Sequence, residues 1–142
     1  MINRNDIEVL NSLRQDSRSK FIDIAKTLHM PPSSVLGRHL KLKRKIIEKH
    51  SIHLKYGRLG FPIRIFYLFS AKNKNQICEF IHEQQNINSA YRATPKSDFF
   101  LECYFKNLKE CNEFSEKLDK ICTRKLESYF VVEELKFESQ II

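Results

Sequence analysis

Apolar residues in the first third of the chain recur every three or four positions. Ile7, Leu10 and Leu13, widened by Val9, mark one side of a first helix, with Asn5 as its expected N-cap. The polar run Gln15-Asp16-Ser17-Arg18-Ser19 ends it. Phe21, Ile24, Ala25 and Leu28 then predict a second helix with one buried face. His29-Met30-Pro31-Pro32 breaks the chain, because proline lacks a backbone donor and restricts the residue before it. Pro32 suits the first position of a third helix. From Ile46 to Leu54 the pattern turns extended, with Lys49 on the turn, as a wing would require.

The period changes again after Tyr56-Gly57-Arg58-Leu59-Gly60-Phe61-Pro62, a glycine-containing hinge. Ile63, Ile65, Tyr67 and Phe69 alternate, which predicts a strand. Ile77, Phe80 and Ile81 have helical spacing, from about Asn75 to Gln84. Ile87 to Thr94 is extended, Pro95 to Asp98 is a turn, and Phe99 to Phe105 is a strand. Leu108, Cys111, Phe114, Leu118 and Ile121 predict a second helix, and Leu126 to Phe137 a last strand. The order βαββαβ is that of a ferredoxin-like unit, which covers one sheet face with helices and leaves the other bare. Three strands carry large apolar groups on both faces, so whichever face stays bare is an apolar patch suited to association with a second subunit.

Charge separates the two parts more sharply than composition does. Residues 1 to 60 hold 13 Lys and Arg against 5 Asp and Glu, a net +8; residues 61 to 142 hold 12 of each. A basic module joined to a neutral one points to an anionic partner for the first module alone. The overall 42% apolar and 30% charged content is that of a folded globular chain. No apolar run approaches the ~20 residues of a membrane span, and the start lacks a secretory signal, so a cytoplasmic location is expected. Cys78, Cys103, Cys111 and Cys122 agree with it: their spacing forms no metal knuckle, and each lies in an apolar periodic stretch, where buried or half-buried thiols act as small hydrophobes.

The cations concentrate on the third helix. At 100° per residue, Ser34, Arg38, Lys41 and Lys45 fall within about 60° of one another, flanked by Ser33, Gly37 and Arg44. Val35, His39, Leu42 and Ile46 form the core row, extended by Leu36 and Leu40, while Lys43 snorkels out of the apolar sector. Three short helices with a tight break before the third make a helix-turn-helix, whose last helix enters the major groove. The residues expected to meet DNA are Lys20, Ser33, Ser34, Gly37, Arg38, Lys41, Arg44, Lys45 and Lys49. Arg38 is suited to bidentate reading of guanine, and the lysines to phosphates.

The run Asp6-Ile7, Leu10, Leu13, Arg18, Ile24-Ala25, Leu28, Met30, Pro32, Ser33, Val35, Arg38 and Leu42 resembles the winged helix-turn-helix of the Lrp/AsnC, or feast/famine, transcription regulators. The later run Ile87, Ala90-Tyr91, Ala93-Thr94-Pro95, Ser97-Asp98 resembles that family's effector loop. The resemblance implies an α+β chain: a winged helix-turn-helix DNA-binding domain with linker strand over residues 1–58, then a ferredoxin-like (RAM-type) oligomerisation and effector domain over 59–142. It implies double-stranded DNA as partner, assembly as a homodimer or as a tetramer or octamer built from dimers, and an amino-acid effector held near Thr94, Pro95, Ser97 and Asp98. Pro95 stands where the family has glycine and Ser97 where it has an aromatic residue. Pro fixes φ and removes a donor, so the effector response is expected to be altered or absent. His39 occupies a usual valine position, and Pro31 a usual capping serine.

Enzyme chemistry finds little support in the sequence. Gly37, Gly57 and Gly60 form no phosphate loop, and no nucleophile motif, cofactor signature or metal-ligand spacing is present. His50 and His53 fall on opposite faces of the expected strand, and His82 faces solvent. His39 is either a core-edge residue or a pH-sensitive DNA contact. Siroheme decarboxylases share the implied architecture, but their clustered His, Arg and Tyr site has no counterpart here. A non-specific architectural nucleic-acid binder is the remaining alternative.

Overall fold

The computed structural model describes residues 2–93 and 98–136 and divides into two units, one built from the residues up to His53 and the other from Leu54–Leu135. The first contains α1 (Arg4–Gln15), α2 (Phe21–Thr27) and α3 (Pro32–Lys45). The cap of helix α1 lies two residues before the expected Asn5. Asn3 is the N-cap, its side chain accepting from the Asp6 amide at 3.0 Å while the Asp6 carboxylate accepts from the Asn3 amide at 3.1 Å. This reciprocal capping box satisfies two donors that a bare helix end leaves open. The core is Val9, Leu10 and Leu13 of α1, Ile24 and Ala25 of α2, and Val35 and Leu42 of α3.

The break between α2 and α3 is a closed turn. His29 adopts φ 51°, the Met30 amide donates to the Ala25 carbonyl at 2.9 Å, and the His29 amide to Lys26 at 3.3 Å. These two bonds tie off the carbonyls that α2 leaves at its end, a left-handed cap in which glycine is the usual residue. Pro32 is the first residue of α3, as its missing donor favours. The expected wing does not form a sheet: residues 47–55 join no ladder.

In the second unit a 3₁₀ turn, Tyr56–Leu59, ends at Gly60 with φ 88°, a backbone conformation that needs glycine there. Then come β1 (Ile63–Ser70), α4 (Lys74–Glu83), β2 (Ile87–Ala93), β3 (Asp98–Phe105), α5 (Leu108–Asp119) and β4 (Glu127–Phe130). The strands form one antiparallel sheet in the order β2-β3-β1-β4. Over the described residues the last strand is shorter than expected, and Phe137, its expected end, lies outside them; the Val131 amide still donates to the Arg64 carbonyl at 2.9 Å.

Pairing of Ile65 with Cys103 and Tyr67 with Leu101 fixes which side chains share a face. Ile65, Tyr67, Phe69, Leu101, Cys103 and Phe105 pack with Ile77 of α4 and Cys111, Phe114 and Leu118 of α5. The other face presents Phe66, Leu68, Phe100 and Tyr104, half-buried, with Tyr91 and Tyr129 exposed. Phe66 and Phe100 stack with centroids 5.0 Å apart. Glu102 lies buried among them, accepting from Arg64 at 2.8 Å and from Asn88 at 2.8 Å. Burial alone would raise the Glu102 pKa, but the hydrogen bonds from Asn88, Ser89 and Arg64 outweigh it and hold the carboxyl below its ordinary range. The cysteines are unpaired: Cys103 and Cys111 are buried and Cys122 half-buried, but Cys78 is exposed, against the expectation of a covered thiol.

Candidate nucleic-acid interface

Helix α3 carries the expected DNA-facing residues, and its packing decides which of them look outward. Val35 and Leu42, both wholly buried, aim at α1 and α2. The arc opposite them, at 100° per residue, holds Ser33, Gly37, Leu40 and Arg44, with Leu36 on its flank. All five are exposed. Leu36 and Leu40 keep 44% and 47% of their surface, so the expected core row that included them is too wide. Two short neighbouring helices cover only a narrow stripe of a 14-residue helix.

Arg38 and Lys41 require a larger correction. They lie to one side of the outward arc and lean onto α1, where the Asp6 carboxylate is wholly buried. Arg38 Nη1 donates to Asp6 Oδ1 at 2.6 Å and to Asn3 Oδ1 at 3.0 Å, and Lys41 Nζ donates to Asp6 Oδ2 at 2.5 Å. Arg38 Nε is buried as well. A guanidinium held this way does not offer guanine the open donor edge that bidentate reading requires. The bond from Lys41 holds the Asp6 carboxyl down at about 2 against the opposing effect of burial, with the Asn3 amide and Arg38 adding to it. Asn3 and Asp6 are thus site-shaping residues that the helical periodicity did not reveal. Their capping pattern was readable locally, but a contact spanning 32 and 35 residues leaves no local trace.

The remaining expected contacts are exposed. Ser33 and Ser34 sit in the first turn of α3, Gly37 has open space where a Cβ would project, and Arg44 and Lys45 lie in its last turn. Lys20 is the N-cap of α2, and Lys49 is exposed beyond α3. No acidic residue occurs from Pro32 to Ile47. The sign of the potential over this surface is therefore set by Lys43, Arg44 and Lys45, because Asp6 already neutralises part of the charge of Arg38 and Lys41. His39 is half-buried, its ring 5.0 Å from Phe21 and 5.8 Å from His50. Burial first, then the nearby His50 and Lys43, push its pKa below the ordinary histidine value. This is the core-edge alternative for His39 rather than an open base contact.

Thr94, Pro95 and Ser97 lie outside the described residues, and Asp98 opens β3. A cavity of about 170 Å³ in the second unit lies at the opposite end of β2, lined by Tyr56, Phe61, Asn86, Asn88 and Tyr104. Tyr56 stacks on Tyr104 at 4.1 Å there, and its hydroxyl donates to Asn88 at 2.8 Å. Among the described residues no helix is long and apolar enough to cross a membrane.

Comparison with known proteins matches residues 69–141 to the Lrp/AsnC ligand binding domain. An HTH-type transcriptional regulator of Pyrococcus furiosus is 30% identical over 85% of this chain and 84% of its own. The HTH-type transcriptional regulator LrpA of Bacillus subtilis is 27% identical over 84% of this chain and 91% of its own. Among solved structures, LrpC of Bacillus subtilis superposes with a TM-score of 0.88 over 97% of this chain and 99% of its own at 19% identity. A Neisseria meningitidis transcriptional regulator in complex with L-Met superposes at 0.86, covering 96% of this chain and 94% of its own at 18% identity. These two likenesses speak to the fold, whereas the domain match and the 30% identical relative speak to descent. The basic helical unit, the helix-covered antiparallel sheet and these matches place the chain in the Lrp/AsnC family, as a DNA-binding transcription regulator and not an enzyme.

Proposed function

We propose that this chain is a sequence-specific regulator that binds double-stranded DNA as a homodimer. In this reading α2 and α3 form the helix-turn-helix and α3 lies in the major groove. The observation that carries it is the outward arc of α3, which presents Ser33, Gly37 and Arg44 beside Lys43 and Lys45 with no acid in the helix. Lys20, Arg44, Lys45 and Lys49 neutralise phosphates and set the register, while Ser33, Ser34 and Gly37 approach base edges. Arg38 and Lys41 act through Asp6 by fixing the rotation of α3. Residues 1–58 serve DNA binding and residues 59–142 serve assembly and sensing.

Dimerisation takes place through the uncovered sheet face of Phe66, Leu68, Phe100 and Tyr104, edged by Tyr91 and Tyr129. A patch of such aromatic residues is stabilised by removal from water against a second copy. Dimer symmetry then calls for an inverted-repeat site with half-sites a whole number of helical turns apart. The protein works in the cytoplasm, where its unpaired thiols stay reduced. The segment carrying Thr94, Pro95, Ser97 and Asp98 no longer answers ordinary amino acids in this reading, since Pro95 stands where the family has glycine, fixes φ and removes the backbone donor. Calorimetry against a panel of amino acids tests this point, and a micromolar isotherm for any of them overturns it.

Selection of bound duplexes from a random library, with the mass of the bound species measured, tests the main reading. An enriched inverted repeat bound by two or more copies is the expected result. Binding without any enriched sequence makes the protein an architectural nucleic-acid binder instead.

A further inference from the structure

We infer that Leu36 and Leu40 read thymine C5-methyl groups in the major groove. The inference rests on the duplex-binding reading of α3 and specifies what that helix recognises. A single exposed leucine is ordinary on any protein surface. Here two of them stand one turn apart on the outward side of α3, Leu40 on the arc opposite the core, 47% exposed, and Leu36 on its flank, 44% exposed, with Ser33, Gly37 and Arg44 beside Leu40.

The surroundings restrict what can cover this arc. Lys43, Arg44 and Lys45 are exposed, and no acid lies between Pro32 and Ile47, so the partner is a polyanion. The apolar pair requires that the same partner present apolar groups at close range. A DNA major groove meets both conditions: phosphates line its rim, and each thymine projects a methyl group from its floor. Gly37, with nothing within 4 Å of where its Cβ would be, leaves the helix backbone low beside Leu40. That gap lets the helix sit deep enough for both side chains to touch the groove floor. Four residues of helix rise about 6 Å, and base pairs stack about 3.4 Å apart, so the two leucines meet methyl groups roughly two steps apart. RNA duplexes carry uracil, without this methyl, and hide their bases in a narrow major groove.

The test uses the full chain and its Leu36→Ala and Leu40→Ala variants. A binding site is first selected from random DNA duplexes. Each thymine in it is then replaced singly by deoxyuridine, which removes only the methyl. The expected result is one or two positions where the wild-type affinity falls about fourfold, the effect of about 0.8 kcal/mol for one buried carbon. At those positions the matching alanine variant binds the thymine and uracil duplexes equally. Both side chains are exposed, so the variants keep the wild-type circular dichroism, and Leu36→Met and Leu40→Met retain the methyl preference. Indifference of the wild type to every deoxyuridine substitution in an enriched site overturns the inference and leaves the duplex-binding reading standing. Alanine variants that keep the full thymine preference overturn it likewise. Failure of the library to yield any enriched sequence is a failure of the duplex-binding reading itself, visible before any base is changed.

Discussion

Asp6 illustrates how one side chain sets the properties of an interface it does not belong to. Its carboxylate is wholly buried, yet it receives bonds from the Asn3 amide, Arg38 and Lys41, so its charge is compensated. Asp6→Asn keeps the size and part of the capping but releases both cations toward solvent. The expected outcome is a loss of about 1–3 kcal/mol in stability. Alongside it, non-specific duplexes bind more tightly, and the plot of log affinity against log salt becomes steeper by up to about two. Urea unfolding and salt-titrated binding measure these effects. The folded pKa of about 2 lies below the ordinary 3.8, so this stabilisation is complete above 3.8 and is lost as pH falls through 2. Asp6→Asn should flatten stability over that acid interval only.

His39 gives the opposite end of the pH scale. Its pKa lies below 6.5 in the folded protein, because its half-buried ring faces Phe21, His50 and Lys43. The unfolded chain therefore binds a proton more readily, and stability declines as pH drops below 6.5 toward the folded value. Denaturation midpoints measured between pH 8 and 5 should fall in the wild type and fall less in His39→Gln. The sequence offered two roles for His39 and could not choose between them, because burial by Phe21 and His50 depends on how three elements meet.

At the level of elements, the break between α2 and α3 was legible because Pro31 and Pro32 act on backbone geometry alone. Its closure was not: the left-handed His29 has no marker in a sequence where glycine would ordinarily stand. His29→Gly removes the Cβ penalty of that conformation and should stabilise the N-terminal unit by about 0.5–1 kcal/mol against a partly offsetting gain in unfolded-chain freedom, measured by thermal melting. The direction faced by α3 shows the same division. Its existence, start and cationic content could be read from residue spacing, but its rotation could not. Two rows of apolar residues competed for the core, and α1 and α2 cover only Val35 and Leu42 fully. The turn into extended chain after Ile46 was also legible, whereas a wing needs a partner strand, and residues 47–55 join none.

On the scale of the whole molecule, the uncovered sheet face is the feature with the largest consequence. Phe66 and Phe100 stack at its centre, and Arg64 lies 5.3 Å from the Phe66 ring while it binds Glu102. Phe66→Asp places a second carboxylate beside Glu102 in an apolar surround. If the proposed dimer forms through this face, the variant sediments as a monomer where the wild type sediments as a dimer, and it loses far more affinity for an inverted repeat than for a half-site. The helical order of the N-terminal part, the alternation of the strands and the charge difference between residues 1–60 and 61–142 follow from the sequence itself, since periodicity and composition are properties of neighbours along the chain. Which strand face the helices cover, which way α3 turns, and the capture of Arg38 and Lys41 by Asp6 were decided only by tertiary structure. Each depends on residues 30 or more positions apart meeting in space, and there the burial of one carboxylate or one aromatic pair outweighs the local pattern.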